Sequence, residues 1–171
     1  MTIYTIGHSS RSLEELLAIL EAWKIQLLVD VRSLPGSRKF PQFNRESLES
    51  ALPGRGIEYL HLKSLGGLRK KRAGESVNQA WENAAFRNYA DHMQTAEFQA
   101  GLNELVDAAE RKRTAIMCAE AVPWRCHRQL ISDALVGLRQ IDVFHILSAT
   151  KGQEHKLTGF ARIVDGRVIY P

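Results

Sequence analysis

Two cysteines lie eight positions apart in the stretch MCAEAVPWRCHR, and they are the only thiols of the chain. Cys126 stands at the head of a predicted helix, between Arg125 and Arg128. Both a helix N-terminus and neighbouring positive charge lower the pKa of a thiol. Cys126 could therefore be a thiolate nucleophile. The same turn could also bind an anion without chemistry, or be structural only.

Known thiol and metal sites can be compared with this spacing. Cys118 and Arg125 are not spaced like the ends of a phosphatase-type phosphate loop, and no glycine lies between them. The segment LLVDVRS resembles the second strand of a rhodanese-type sulfur-transfer fold, but the thiol loop does not match. Structural zinc sites have ligands in a C-x2–4-C spacing, which is absent here. We expect no metal and no cofactor.

Further polar side chains follow other predicted strands. His8 and Ser9 come after the run IYTIG, and Asp30 and Arg32 come at the end of the run LLVDVR. In an open α/β sheet, ligands bind beyond the carboxyl ends of the strands. A carboxylate inside an apolar run is costly unless it is paired, and Arg32 lies two residues on, hence on the same face. An arginine fork also suits phosphate.

These positions define a candidate site with two kinds of residue. The candidates for acid, base and nucleophile are His8, Glu120 and Cys126. The candidates for ligand binding are Arg32, Asp30, Ser9, Cys118, His127 and Arg128. Each has a structural alternative: His8 as a helix cap, Asp30 with Arg32 as a buried ion pair, and Cys118 as a small buried hydrophobe.

The elements that position these residues alternate along the chain. Apolar residues recur at helical spacing after the first strand and again in residues 85–94, 95–111 and 127–138. The runs between them are short, continuous and apolar, as in strands buried on both faces. We predict a single α/β domain over residues 1–171. Its mainly parallel sheet has about five strands and helices on both faces. Asp165-Gly166 predicts a C-terminal hairpin or edge strand.

The charge of the chain is uneven. Residues 32–72 contain ten basic and three acidic side chains, a net charge of +7, whereas the whole chain carries +4. A basic segment on a mildly acidic body favours an anionic partner. A solvated, mobile loop is the alternative for the stretch LRKKRAGES.

Several protein classes are excluded or disfavoured. No apolar run approaches the roughly 18 residues of a membrane span, and the N-terminus lacks the features of a signal peptide. Two cysteines in 171 residues do not form a disulfide scaffold. We expect free thiols, a cytoplasmic setting and no membrane partner. No oligomeric state is indicated.

The polar motifs also carry a family resemblance. From Thr5 to about Leu147 the chain resembles the domain-of-unknown-function family number 488, through TIGHS, LLVDVRSLPGSRKFPQF, GIEYLHLKSLGG, FRNYADHMQTAEFQAGL, IMCAEAVPWRCHRQLISDAL and VFHIL. The family's characteristic motifs fall on residues 7–9, 30–32, 118–120 and 126–128. The resemblance implies an α/β protein of bacterial type and no established reaction.

Three functional hypotheses follow. The first is an enzyme or binder that acts on a phosphate-bearing ligand, such as a nucleotide or a nucleic-acid end, at the strand ends. The second is a non-enzymatic nucleic-acid-binding module that uses the basic residues 38–72. The third is a thiol-based redox or sulfur-transfer protein. The residue types fit enzymes and binders alike.

Overall fold

A central sheet of six strands organises the chain, and the computed structural model describes residues 1–171. The strands are β1 Thr2–Gly7, β2 Leu27–Asp30, β3 Glu58–His61, β4 Thr114–Cys118, β5 Asp142–Ile146 and β6 Gly152–Glu154. Their order is β3-β2-β4-β1-β5-β6. The first five are parallel, and β6 is antiparallel to β5. The predicted α/β class and mainly parallel sheet are confirmed.

Five helices connect the strands. They are α1 Leu13–Ala22, α2 Arg45–Ala51, α3 Ala84–His92, α4 Ala96–Arg111 and α5 Arg128–Arg139. Ser12 and Glu15 form a capping box at the start of α1, and the Thr95 side chain caps α4. The Asn44 side chain makes no cap bond to α2 and instead accepts a hydrogen bond from Ser37 N. None of the helices is both long and apolar enough to cross a bilayer.

Helices cover both faces of the sheet, as predicted. Leu16 and Leu20 of α1 lie in one apolar cluster with Ile6 of β1. Leu102 of α4 and Leu130 of α5 lie in a second, larger cluster on the opposite face. Both clusters contain residues of β2 and β4, because successive side chains of a strand point to opposite faces. This explains why those strands are continuous apolar runs.

The C-terminal segment forms a hairpin that stands apart from the main sheet. Its strands are β7 Arg162–Val164 and β8 Arg167–Ile169, and they pair only with each other. Asp165 and Gly166 have φ of 49° and 72°, as in a two-residue turn with left-handed central residues. The predicted hairpin is therefore present. The edge strand beside β5 is β6, a short polar strand that the sequence pattern did not indicate.

The candidate site lies where β1 and β4 end side by side. Gly7 pairs with Cys118 in the register of these two strands. The helices that follow them, α1 and α5, belong to the clusters on opposite faces of the sheet. The two connecting loops therefore leave in opposite directions and open a crevice between them, which is where ligands bind in open α/β folds.

Gly7 is required by the close approach of these two loops. A Cβ at this position would overlap the carbonyl carbon and oxygen of Glu120, which are backbone atoms, and would crowd the Arg128 guanidinium. The absence of a side chain at Gly7 therefore lets the loop after β4 pass directly over the end of β1.

We expect Gly7→Ala to lower the free energy of unfolding by about 3 kcal/mol, because neither backbone can move away without breaking the sheet. Urea denaturation followed by circular dichroism measures this change. Gly54→Ala is the matched control, since no heavy atom lies within 4 Å of the added methyl. Similar stabilities for both variants would contradict the steric argument.

Candidate functional site

A cavity of about 660 Å³ opens at the carboxyl ends of β1, β2 and β4. Its volume lies within the range of small-molecule binding sites, roughly 300–1,000 Å³. Six of the nine predicted site residues line it: His8, Arg32, Cys118, Glu120, Cys126 and His127. Ser9, Asp30 and Arg128 do not line it. Asp30 and Arg128 are fully buried behind the wall and bond to residues that line the cavity.

The two cysteine sulfurs lie side by side at the floor of this cavity. Cys118 Sγ and Cys126 Sγ are 3.1 Å apart, and both residues are free thiols. Cys118 is the last residue of β4, and Cys126 follows a 3₁₀ turn that begins at Pro123. The turn brings the second thiol back over the first. Cys126 is 8% exposed and Cys118 is 2% exposed.

The Arg128 side chain contacts both sulfurs. Its Nε donates to Cys118 Sγ at 2.9 Å and to Cys126 Sγ at 3.3 Å, and its backbone N–H donates to Cys126 Sγ at 3.4 Å. Nη1 donates to Thr5 Oγ1, and Nη2 donates to the Glu120 carbonyl at 2.6 Å. Arg128 was predicted to bind the ligand, but its guanidinium is completely buried and bonded within the protein.

The charge of Arg128 has no carboxylate partner. The ion pairs of the protein do not include it. A buried cation without a counter-charge is strongly destabilising, and a thiolate is the group that can supply one here. Burial alone would raise the pKa of Cys126. The hydrogen bond from the Cys118 thiol and the Arg128 charge instead lower it to about 6. Burial and the neighbouring thiol raise the pKa of Cys118.

A buried hydrogen-bond chain extends from Arg128 to the C-terminal segment. Thr5 Oγ1 lies 2.7 Å from His145 Nδ1, and His145 Nε2 lies 2.9 Å from His155 Nδ1. His155 Nε2 lies 2.8 Å from a carboxylate oxygen of Asp133, whose other oxygen accepts from the Tyr170 hydroxyl. Burial lowers the pKa of His145 to about 3, so its imidazole is neutral.

This hydrogen-bond chain orients the groups around the thiolate. Asp133 ends the chain on one side as an acceptor, and Arg128 ends it on the other side as a donor to Thr5. The neutral imidazole of His145 connects Thr5 to His155. His155, Asp133 and Tyr170 were not among the residues predicted for the site. His155 has no motif around it, and the carboxylate of Asp133 lies inside an ordinary helical pattern.

The second buried charge, Arg32, forms the ion pair with Asp30 that the sequence analysis gave as the structural alternative to ligand binding. Its Nε and Nη2 contact the two carboxylate oxygens of Asp30 at 2.9 and 2.7 Å, and Nη2 also donates to the Phe43 carbonyl. Tyr59 donates its hydroxyl to Asp30 at 2.5 Å. Although burial opposes the charge, Asp30 raises the pKa of Arg32. Nη1 has one weak contact, to His8 at 3.5 Å, and is the part of Arg32 left for a ligand.

The two histidines of the cavity are held as neutral rings. His8 Nδ1 lies 2.8 Å from the Ser9 carbonyl, and its ring stacks on Phe43 at 4.4 Å. His127 Nε2 lies 2.7 Å from the Val31 carbonyl. Burial lowers the pKa of both, and that of His127 to about 4. His127 therefore adds no positive charge next to Cys126. His8 presents the unprotonated Nε2 toward Arg32, where it can accept a proton.

Two exposed cations at the cavity were missed as ligand-binding candidates. Lys39 and Arg125 line the cavity and belong to no ion pair. The Lys39 ammonium lies 5.4 Å from the centre of the Phe40 ring. Glu120 is the single acidic residue of the lining, and its carboxylate is exposed and unpaired. The cavity is thus predominantly basic. The charge count of residues 32–72 predicted an anionic partner but did not show where on the protein it would bind.

No three His, Cys, Asp or Glu side chains are grouped so that they could hold a metal ion. The histidines of the buried chain are bonded to one another and to Asp133. The two thiols are hydrogen-bonded to each other and to Arg128.

Comparisons with known proteins gave one match. The family model described as "Domain of unknown function DUF488" matches residues 12–135, which is more than half of the chain. It includes the ends of β2 and β4, the 3₁₀ turn and most of α5. No curated protein and no solved structure matches the chain.

We expect alkylation of Cys126 by iodoacetamide to rise with pH about a midpoint near 6, because only the thiolate reacts. Peptide mass spectrometry after timed labelling reads each cysteine separately. In Arg128→Gln the midpoint should move up toward about 8.5, the ordinary value of a thiol.

Arg125→Gln is the matched control, since Arg125 adjoins Cys126 in sequence but makes no hydrogen bond to its sulfur. Its midpoint should stay near that of the wild type. A wild-type midpoint near 8.5, or equal shifts in both variants, would contradict the assignment of Arg128 as the counter-charge.

Proposed function

The chain belongs to the DUF488 family, and from that premise we propose that it binds a phosphate-bearing ligand in the strand-end cavity and presents the Cys126 thiolate to it. The supporting observation is that one cavity holds a stabilised thiolate together with three cations, Arg32, Lys39 and Arg125. The proposal includes an enzymatic role for Cys126, in a reducing cytoplasmic setting that suits two free thiols.

The distribution of charge supports an anionic ligand. Arg32 is fixed by Asp30 and leaves Nη1 toward the cavity, so it offers a rigid donor. Lys39 and Arg125 are exposed and can close on the ligand from the mouth. Charge-assisted hydrogen bonds of this kind are the strong ones. We assign Arg128 no part in binding, because its side chain is completely buried and does not line the cavity.

The apolar part of the wall favours a nucleotide or a nucleic-acid end over inorganic phosphate. Phe40 and Phe86 line the cavity with Leu34 and Leu68. Aromatic rings can stack on a base, while the cations hold the phosphate. Inorganic phosphate would use the cations only.

The thiolate and the neutral histidine define the chemistry that we propose. Cys126 would attack an electrophilic centre of the bound ligand, and His8 or Glu120 would carry the proton of the leaving or entering group. His8 Nε2 is unprotonated and lines the cavity. The carboxylate of Glu120 is exposed and available for exchange with water.

We expect the double variant Lys39→Ala/Arg125→Ala to weaken binding of adenosine monophosphate at least about tenfold, since about 1.4 kcal/mol of binding free energy corresponds to that factor. Isothermal titration calorimetry measures the affinity, with inorganic phosphate as a second probe. The control is Arg167→Ala, which removes an exposed, unpaired arginine of the hairpin. No binding by the wild type, or equal affinities in all three proteins, would refute the proposal.

A second surface supports the nucleic-acid alternative. Lys70, Lys71 and Arg72 have no acidic partner and border a groove of about 450 Å³. The rest of the basic segment is less available than the charge count suggested. Four of the ten cations in residues 32–72 form ion pairs: Arg32 with Asp30, Arg45 with Glu49, Arg55 with Glu14 and Glu21, and Arg69 with Glu97.

If this groove binds nucleic acid, affinity for duplex DNA should fall with salt by about 0.9 log unit per log unit for each phosphate that the protein neutralises. Replacing Lys70, Lys71 and Arg72 by Ala should reduce that slope by about one unit for each phosphate that is no longer bound. Fluorescence anisotropy over a salt series gives both slopes. Salt-independent binding, or an unchanged slope in the variant, would remove this alternative.

A further inference from the structure

The sulfur pair has a feature that binding an anion does not require. Cys118 Sγ lies 3.1 Å from Cys126 Sγ, and both residues line the same cavity. A disulfide bond is about 2.05 Å long, so the two sulfurs need to move only roughly 1 Å closer to form one. One of the two sulfurs is held as a thiolate by Arg128, and the other remains a thiol. A nucleophilic sulfur thus adjoins a second sulfur that can complete a bond.

We propose that Cys118 and Cys126 form a reversible dithiol–disulfide couple that exchanges with low-molecular-weight disulfides and thiols entering the cavity. Cys126 is the attacking residue and Cys118 the resolving residue. This inference goes beyond the proposed function, because it needs no anionic ligand. The two share only the thiolate of Cys126.

The assignment of roles follows from position and charge. Cys126 is the more exposed of the two and receives three hydrogen bonds, from the Cys118 thiol, the Arg128 side chain and the Arg128 backbone. It is therefore the thiolate that an incoming disulfide meets first. Cys118 is nearly completely buried, and its sulfur contacts Cys126 Sγ, the Arg128 side chain and the Glu120 carbonyl, so an incoming disulfide reaches it less readily than Cys126.

The exchange balances in two steps. The Cys126 thiolate attacks one sulfur of a disulfide RS–SR, forms a mixed disulfide Cys126–S–SR and releases RS⁻. Cys118 then attacks Cys126 Sγ, which forms the Cys118–Cys126 bond and breaks the bond to the second RS group. The proton of Cys118 passes to a released thiolate. Overall the two cysteines lose two electrons and the one proton of Cys118, and RS–SR becomes one RSH and one RS⁻, which takes a second proton from the solvent. The reverse steps, with a low-molecular-weight thiol, restore the pair.

Arg128 keeps the couple reversible. Oxidation converts the thiolate into a neutral disulfide, so the completely buried guanidinium loses its only counter-charge. No carboxylate lies within ion-pair distance to replace it. The reduced form is therefore favoured, and a couple whose reduced form is stabilised is a comparatively strong oxidant.

The test is a redox titration of the full chain, without phosphate ligand, in buffers of graded ratio of reduced to oxidised glutathione. Samples are quenched in acid and alkylated, and the protein mass is measured by mass spectrometry. We expect a single transition to a species that has lost two hydrogens and has both cysteines protected. Cys118→Ser should instead stop at one glutathione adduct on Cys126, because the resolving thiol is gone.

A second variant tests the role of Arg128. In Arg128→Gln the disulfide should form more readily, with the equilibrium constant for oxidation by glutathione disulfide raised about tenfold, which is about 30 mV for a two-electron couple. Circular dichroism shows whether Arg128→Gln folds. If it does not, the results for the wild type and Cys118→Ser test the inference.

Two results would overturn the inference. One is a wild-type protein that gains no internal disulfide at the most oxidising ratio. The other is a wild-type protein that accumulates the same glutathione adduct as Cys118→Ser. Nucleotide binding is measured separately on reduced protein. Binding without disulfide formation refutes this inference alone, and disulfide formation without binding refutes the proposed function alone.

Discussion

A buried arginine without a carboxylate partner is the constraint on which the rest of the site depends. Arg128 bonds to Thr5 of β1, to Cys118 of β4, to the loop carbonyl of Glu120 and to Cys126. It thus joins two neighbouring strands to the start of α5 in one place. Because its charge must be balanced, the site around it is built to hold a negative sulfur. The absence of a side chain at Gly7 is part of the same arrangement, since it lets the Glu120 carbonyl reach the guanidinium.

The two buried arginines of this region differ in how their charge is balanced. Arg32 is neutralised by Asp30 and keeps one nitrogen at the cavity, so it serves as a fixed donor. Arg128 is completely buried and hydrogen-bonded to neutral groups and to the two sulfurs, so it acts on Cys126 rather than on a ligand. The His145–His155–Asp133 chain extends this arrangement to Tyr170, next to the C-terminal hairpin. The distant C-terminus thereby helps to orient the thiolate environment.

Much of the fold could be predicted from the sequence because the relevant signals are local. Continuous apolar runs identified β2 and β4 as strands buried on both faces, and helical spacing identified α1, α4 and α5. The Asp165-Gly166 turn was also correctly predicted. β6 was missed because Gly152–Glu154 is short and polar. It is held by pairing to β5, which no local pattern reveals.

The sequence by itself determined which residue types stand at the strand ends and therefore where the candidate site lies. Only the tertiary structure decided what each does there. Asp30 and Arg32 were paired from sequence because residues two apart in an extended chain share a face. The bonds of Arg128 with Thr5, and of His155 with Asp133, join residues far apart in the chain. Whether a buried cation meets a ligand, a carboxylate or a thiolate depends on which segments the fold packs around it, because the cost of burial is set by the three-dimensional surroundings of the charge.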